Sequence, residues 1–189
     1  MKKIYVLATS TLLHTPQAPF VFEDNQVVIP LAVIEEIDNH KKRQDEIGRN
    51  AREVSRILDQ LRDEGDLSQG APTPQGGSIR VEVNQNKWKN MPEFMDVLDK
   101  TKPDNRILAV ALNLSQQNND RQVFLISKDL NLRIKADVLG VKAQDLINDR
   151  VDFSRLYSGQ TELYLNSEEM NTFFPGQKAG RFRKGDVAK

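Results

Sequence analysis

Short apolar runs alternate with amphipathic segments up to about residue 145. The runs at 4–7, 26–29, 79–83 and 123–126 predict strands, and the last one is continuously apolar, as is typical of a strand buried on both faces. Residues 141–143 are a candidate for a last parallel strand. Because helical segments separate the runs, the pattern predicts an α/β fold with a central parallel sheet flanked by helices.

The clearest helix is predicted to begin at Glu46. Apolar residues recur there at helical spacing, at Ile47, Ala51, Val54, Ile57, Leu58 and Leu61. The opposite face carries three arginines: Arg49, Arg52 and Arg56. Further helices are expected after Pro30, from 103 onward and after Asp129, where Gly140 ends the last one.

The chain is expected to divide near residue 150. Residues 65–78, rich in Gly, Pro, Ser and Gln, predict a flexible loop inside the first domain, because a strand pattern resumes after them. The βα alternation defines a domain over 1–150. Residues 151–189 form a C-terminal extension whose end, from Pro175, is basic and is interpreted as a disordered tail.

Composition narrows the chemistry. The 27 basic and 27 acidic residues balance, so nucleic-acid or membrane binding would have to come from local patches. Without cysteine there are no disulfides or thiolate nucleophiles, and two histidines make a His-rich metal site improbable. The first strand begins at once, and no apolar run approaches the ~20 residues of a membrane span. We therefore expect a cytoplasmic protein.

Three acids occupy suggestive positions. Asp129 follows a strand, Asp104 heads a helix, and Glu36 lies in the helix after another strand. Each has a plain structural interpretation, such as a helix N-cap for Asp104 or a solvated surface position for Glu36. Together, however, they fall on one side of the predicted sheet. Clustered carboxylates repel one another unless a cation neutralises them, and hard oxygen ligands suit Mg²⁺ or Mn²⁺.

The chain resembles the PIN domain, a metal-dependent ribonuclease fold, and in particular the N-terminal PIN domain of PhoH-like ATPases. Five segments in the right order carry the resemblance: 5–14 (YVLATSTLLH), 27–38 (VVIPLAVIEEID), 46–52 (EIGRNAR), 104–108 (DNRIL) and 126–136 (ISKDLNLRIKA). Each is weak alone, but together they span nearly the whole α/β part. The resemblance implies a three-layer PIN-like fold.

The resemblance also implies a set of site residues. The family's metal-binding carboxylates correspond to Ala8, Glu36, Asp104 and Asp129, and Ser10 occupies a neighbouring family position. The family has Asp where this chain has Ala8. Glu36 is preferred to Glu35, and Asp104 to Asn105, which cannot ionise.

The implied activity is Mg²⁺- or Mn²⁺-dependent cleavage of single-stranded RNA. The absence of one carboxylate predicts that this chain is inactive or impaired. Ala8 could be an inactivating substitution, which the intact surroundings favour, or a natural loss. The alternative is a non-catalytic module that binds RNA or protein.

Candidates for RNA contacts are Arg49, Arg52, Arg56, Lys128 and Arg133. For the arginines, the alternative is a solvated helix face with pairs such as Arg49 with Glu53. Trp88 could stack a base, although packing beneath the loop is favoured. His14 is interpreted as structural.

The resemblance leaves two expectations about assembly. PIN domains often pair, so a homodimer is possible. PhoH-like proteins continue into an ATPase domain, yet no G-x-x-x-x-G-K-[ST] loop occurs in this chain.

Overall fold

The computed structural model describes residues 2–83, 98–118 and 120–146. A six-stranded sheet crosses this part of the chain in the order β3-β4-β2-β1-β5-β6, and every neighbouring pair except β3 and β4 is parallel. The strands are β1 (Ile4–Leu7), β2 (Gln26–Pro30), β3 (Ala71–Pro72), β4 (Ser78–Glu82), β5 (Val123–Ile126) and β6 (Lys142–Gln144).

Helices connect and cover these strands. They are α1 (Thr9–His14), α2 (Leu31–His40), α3 (Glu46–Glu64), α4 (Pro103–Gln117) and α5 (Leu130–Val138), with a 3-10 turn at Ala18–Phe20. The predicted α/β fold with a central, mostly parallel sheet is therefore confirmed. Among the described residues, no helix combines the length and the apolar character needed to cross a membrane.

Strand β1 lies at the centre of the core. All four of its residues are buried, and so are all four residues of β5. Successive side chains of a strand point to opposite faces, so burial along the whole strand means that both faces of the sheet are covered. Tyr5 extends this packing, because its ring stacks on Phe22 at 4.3 Å and on Phe124 at 5.6 Å between centroids.

Strands are added on both sides of β1, one side after the other along the chain. After β1 the chain builds β2 and then β4 on one side, and it returns later to place β5 and β6 on the other side. The strand order thus reverses between β1 and β5. In open α/β sheets, ligands bind beyond the carboxyl ends of the strands at such a reversal.

Three details differ from expectation or lie beyond it. The loop over 65–78 contains the short strand β3, which pairs antiparallel with β4. A two-residue strand has too few positions to show an alternating pattern, so the pattern of apolar residues did not predict it. Pro30 is the last residue of β2, one residue beyond the predicted run, and it is also the N-cap of α2. Trp88 and the extension over 151–189 lie outside the described residues.

The start of α3 is fixed by close backbone packing. Asp45 is the N-cap, and its carboxylate accepts a hydrogen bond of 3.1 Å from the Gly48 N–H. A Cβ at Gly48 would lie 2.0 Å from the carbonyl oxygen of Arg43, so no larger residue fits without moving the backbone.

Replacing Gly48 by Ala tests this packing. In an unobstructed helix, this change would stabilise the fold by up to ~1 kcal/mol, because Ala is the better helix former. Here the clash reverses the sign, and we expect a loss of about 1–3 kcal/mol in the free energy of unfolding, the usual cost of overpacking. Urea denaturation measures the difference.

The control is Gln60→Ala, at an exposed position of the same helix. It should leave stability nearly unchanged. Equal stability of the Gly48→Ala variant and the parent chain would contradict the close approach of α3 to the preceding loop.

Candidate functional site

The candidate site lies at the carboxyl ends of β1, β2 and β5. Position 8 directly follows β1, and Asp129 comes three residues after the end of β5. These two positions flank the reversal of strand order. Glu36 lies in α2, which follows β2, and Asp104 lies in the first turn of α4.

Ala8 is built firmly into this edge of the sheet. Its N–H donates a hydrogen bond of 2.9 Å to the Ile126 carbonyl, and its side chain is only 1% exposed. It is also the N-cap of α1, with extended backbone angles and no side-chain acceptor. An Asp or Asn at this position could accept a hydrogen bond from the first turn of α1. Position 8 thus combines a helix start with a place beside β5.

Glu36 is the glutamate of α2 that turns toward the site. The Thr9 hydroxyl donates a short hydrogen bond of 2.5 Å to its carboxylate. Burial raises the pKa of Glu36, and the nearby charge of Asp104 raises it further, although the Thr9 hydrogen bond opposes them. Glu35, by contrast, is half-exposed and forms a 2.8 Å ion pair with Arg106. This geometry supports the choice of Glu36 over Glu35.

The charge of Asp104 interacts with those of both Glu36 and Asp129. Burial raises its pKa most, and the charge of Asp129 adds to that rise, while Lys135 and Lys102 oppose it. Its neighbour Asn105 is buried and donates a 2.8 Å hydrogen bond to the Asp99 carbonyl. The two adjacent residues therefore have different tasks: Asn105 anchors the start of α4, and Asp104 contributes charge.

Asp129 is the N-cap of α5. One carboxylate oxygen, Oδ1, accepts hydrogen bonds from the N–H groups of Asn131 at 2.7 Å and Leu132 at 3.3 Å. The Asp129 N–H in turn donates to the Ser127 hydroxyl at 3.1 Å. Because these contacts use one oxygen, the capping role and a ligand role on Oδ2 are compatible.

Ser10 and Ser127 join the ends of β1 and β5. Their hydroxyl oxygens are 3.1 Å apart, and the Lys128 N–H donates to the Ser10 hydroxyl at 3.1 Å. Ser127 is fully buried. The predicted site residue Ser10 is thus part of the support beneath Asp129. His14, through Nδ1, hydrogen-bonds the Ser10 carbonyl and lies on the exposed side of α1, which agrees with a structural role.

The acids have the chemistry of a divalent-metal site but do not complete one. Glu36, Asp104 and Asp129 supply hard oxygen donors, and their mutual repulsion would be relieved by a cation. Nevertheless, nowhere in the described ranges do three or more His, Cys, Asp or Glu side chains form a group arranged to hold a metal ion. The type of donor fits Mg²⁺ or Mn²⁺. However, one donor is missing at position 8, because Ala8 has no side-chain oxygen.

Two of the predicted RNA-binding cations pair with the same acid, Asp145. Lys128 lies 3.7 Å and Arg133 3.5 Å from the carboxylate of Asp145, and Arg133 also donates a 2.7 Å hydrogen bond to the Ser127 carbonyl. Asp145 comes just after β6 and is remote in sequence, so the pairing could not be seen in advance.

The arginines of α3 have different environments. Arg52 donates to the carbonyls of Lys41 and Arg43, at 2.7 and 3.0 Å, and so closes the loop between α2 and α3. Arg49 and Arg56 are exposed, and neither forms an ion pair with another described residue. The expected pair of Arg49 with Glu53 is not formed, and Glu53 instead accepts from Gln17.

Sequence reasoning missed three contributors: Thr9, Ser127 and Lys135. Thr9 directly follows position 8, and Ser127 lies two residues before Asp129, so a search for hydroxyl residues beside the assigned site positions could have found them. Lys135 lies six residues after Asp129, and only the packing of α4 on α5 shows its proximity to Asp104.

Known proteins resemble this chain. A family model described as the PIN domain matches residues 5–147. A solved PilT N-terminus domain protein from Sulfolobus solfataricus is similar at 15% identity and a TM-score of 0.42, covering 77% of this chain and 88% of that chain.

Longer relatives share the same region. Protein PhoH2 of Bacillus subtilis is 46% identical over 179 residues, which cover 92% of this chain. Protein PhoH2 of Thermobispora bispora is 38% identical over 173 residues, or 91% of this chain. The chain spans only 40% and 38% of the lengths of these two relatives. The extent of the family match over the described fold settles the membership: the chain belongs to the PIN domain family.

Proposed function

We propose that this chain is the metal-dependent endoribonuclease domain of a PhoH-like protein, acting on single-stranded RNA, and that Ala8 impairs its activity. The observation that carries the proposal is the placement of Glu36, Asp104 and Asp129 beyond the ends of parallel strands, where the charges of these acids influence one another. Burying two coupled carboxylates is costly unless a cation offsets their repulsion.

In this proposal, the three acids would hold Mg²⁺ or Mn²⁺, and the ion would supply activation of water and stabilisation of negative charge on the leaving oxygen. The residues around them keep the ligands in place. The Thr9 hydroxyl orients the Glu36 carboxylate, and the Ser127 hydroxyl fixes the backbone of Asp129.

Ala8 weakens this arrangement by removing a donor from its most central position. The residue is buried beside β5 at the carboxyl end of the central strand β1, so the missing ligand would have been held directly by the sheet. Without a side-chain oxygen at position 8, the protein would offer the ion one ligand fewer. Mg²⁺ readily keeps its waters, so binding would be weaker and the attacking water less well placed.

A non-catalytic RNA- or protein-binding module is the second candidate. It is favoured by Ala8 itself and by the lack of a complete metal-binding group in the described ranges. Both candidates keep the expectations drawn from the resemblance to PhoH-like ATPases, namely a longer cytoplasmic protein with an ATPase domain, and both allow a homodimer.

Ala8→Asp is the direct test of the nuclease proposal. The added carboxylate should tighten Mg²⁺ or Mn²⁺ binding at least tenfold and produce cleavage of single-stranded RNA. Isothermal titration calorimetry measures the metal affinity, and gel analysis of a labelled RNA with and without a chelator measures cleavage.

The control combines Ala8→Asp with Asp129→Asn. It keeps a capping oxygen for α5 but removes the charge, so it should fold and should not cleave. If Ala8→Asp binds neither ion more tightly and cuts no RNA, the nuclease proposal fails and the binding module replaces it.

The raised pKa of Glu36 predicts a pH-dependent gain for Glu36→Gln in the metal-free protein. An acid whose pKa is higher in the folded state than its ordinary value of 4.5 destabilises the fold once it is ionised. Glu36→Gln should therefore be more stable than the parent chain at pH 7. The gain should shrink as pH falls through the raised pKa and vanish below about 4.5.

Thermal denaturation at several pH values in a chelating buffer measures this gain. The matched control is Glu35→Gln on the same helix, which removes an exposed ion pair with Arg106 and should bring no gain at pH 7. A Glu36→Gln variant that is less stable at pH 7 would contradict the repulsion among the site acids.

The exposed arginines of α3 should contribute to RNA affinity if the site binds a single strand. Each phosphate contact adds roughly 0.7 to the slope of log affinity against log salt. Replacing Arg49 and Arg56 together by Ala should flatten the slope by about twice that amount. Arg52 is kept, because it closes the loop before α3.

Filter binding of single-stranded RNA over a salt series measures the slope. Arg62→Ala, at the last turn of the same helix and paired with Asp59, is the control and should leave the slope unchanged. A folded double variant with the parent slope would remove α3 from the RNA interface.

A further inference from the structure

Lys135 lies at the edge of the candidate site, where its side chain contacts the buried amide of Asn105. Its Nζ is 3.5 Å from the Oδ1 of Asn105, and the Lys135 side chain is partly buried between α4 and α5. The amide of Asn105 cannot turn freely, because its Nδ2 donates to the Asp99 carbonyl at 2.8 Å and the residue is only 3% exposed. The orientation of Asn105 therefore presents an oxygen to the ammonium.

The charge of Lys135 acts on the acid cluster. Its ammonium lowers the pKa of Asp104, opposing both burial and the charge of Asp129. No carboxylate of the described ranges forms a salt bridge with Lys135. Lys128 and Arg133 at the same end of the sheet differ in this respect, because both are close to Asp145.

We propose that Lys135 is a phosphate-positioning residue, whose ammonium binds a non-bridging oxygen of the RNA phosphodiester beside Asp104. The assignment rests on the proposed function, because it takes RNA as the ligand of this edge. Three carboxylates repel a phosphate, and a bound divalent ion offsets only part of that repulsion. A fixed cation at the rim offsets more of it and directs the phosphate toward the acids.

Lysine suits this task. Its ammonium is a compact charge with three donors, so it can keep the Asn105 contact and still donate to a phosphate oxygen. Lys102 also faces Asp104, yet it is exposed at the N-cap of α4 and has no described side-chain anchor. Lys135 therefore combines a side-chain anchor at Asn105, which Lys102 lacks, with the absence of the carboxylate partner that Lys128 and Arg133 have among the described residues.

The first measurement is RNA binding by the chain as it stands, with Ala8 in place and Ca²⁺ as the ion. Fluorescence anisotropy with a labelled oligouridylate should show five- to tenfold weaker binding for Lys135→Gln, with a salt slope lower by roughly 0.7. Lys135→Arg should restore most of the affinity. Lys142→Gln, at an exposed position of strand β6, is the control and should bind RNA like the parent chain.

The second measurement separates positioning from a structural role. Removing a positive charge beside Asp104 should leave Mn²⁺ binding unchanged or make it up to several-fold tighter, as measured by electron paramagnetic resonance. A side chain needed only for packing would instead weaken RNA binding, metal binding and thermal stability together. That joint loss in Lys135→Gln overturns the proposal.

Unchanged RNA affinity and salt slope in Lys135→Gln also overturn it, as does a parent chain that binds no RNA. These outcomes are distinct from failure of the nuclease proposal, which is judged by cleavage in Ala8→Asp. If that variant does not cleave but Lys135→Gln still shows the loss of RNA affinity with intact Mn²⁺ binding, the phosphate contact stands on a binding module.

Discussion

Repulsion among carboxylates held at one edge of a rigid sheet is the constraint on which this site depends. Asp129 is fixed by its capping bonds, and Asp104 by a helix start that Asn105 anchors. Because the neighbouring strands are buried on both faces, the acids cannot move apart without disrupting the core. The fold therefore maintains an unfavourable concentration of negative charge, which favours the arrival of a cation.

Helix starts make that concentration tolerable. Asp129 precedes α5 and Asp104 lies in the first turn of α4, where the partial positive charge of a helix N-terminus stabilises an acid by about 0.3–1 kcal/mol. Glu36 lies farther along its helix and relies on the Thr9 hydroxyl instead. Each acid thus has a local source of stabilisation, which compensates for part of the repulsion and leaves the remainder available to a ligand.

The sequence predicted those parts of the structure that depend on local patterns. Continuous apolar runs located β1 and β5, and the position of Asp129 after β5 located the start of a helix. Contacts between residues far apart in sequence were not predictable. Nothing in the pattern around Lys128 indicates that Asp145 lies beside it, and nothing around Lys135 indicates the approach of Asn105. The choice among cations at the site therefore required the packing of α4 on α5.

If position 8 is a ligand position, as proposed, the scaffold around it does not depend on the ligand. The backbone of Ala8 holds β1 to β5 through its N–H, and this bond does not depend on the side chain. No side chain caps the start of helix α1, but the hydroxyl of Thr11 donates a hydrogen bond to the Ile126 carbonyl and so joins the helix to the sheet. With less negative charge beside the remaining acids and no oxygen to satisfy in a buried place, Ala8 favours the metal-free fold. On the proposed function, the residue that would stabilise the metal-free fold is thus the same one that would weaken its affinity for an ion.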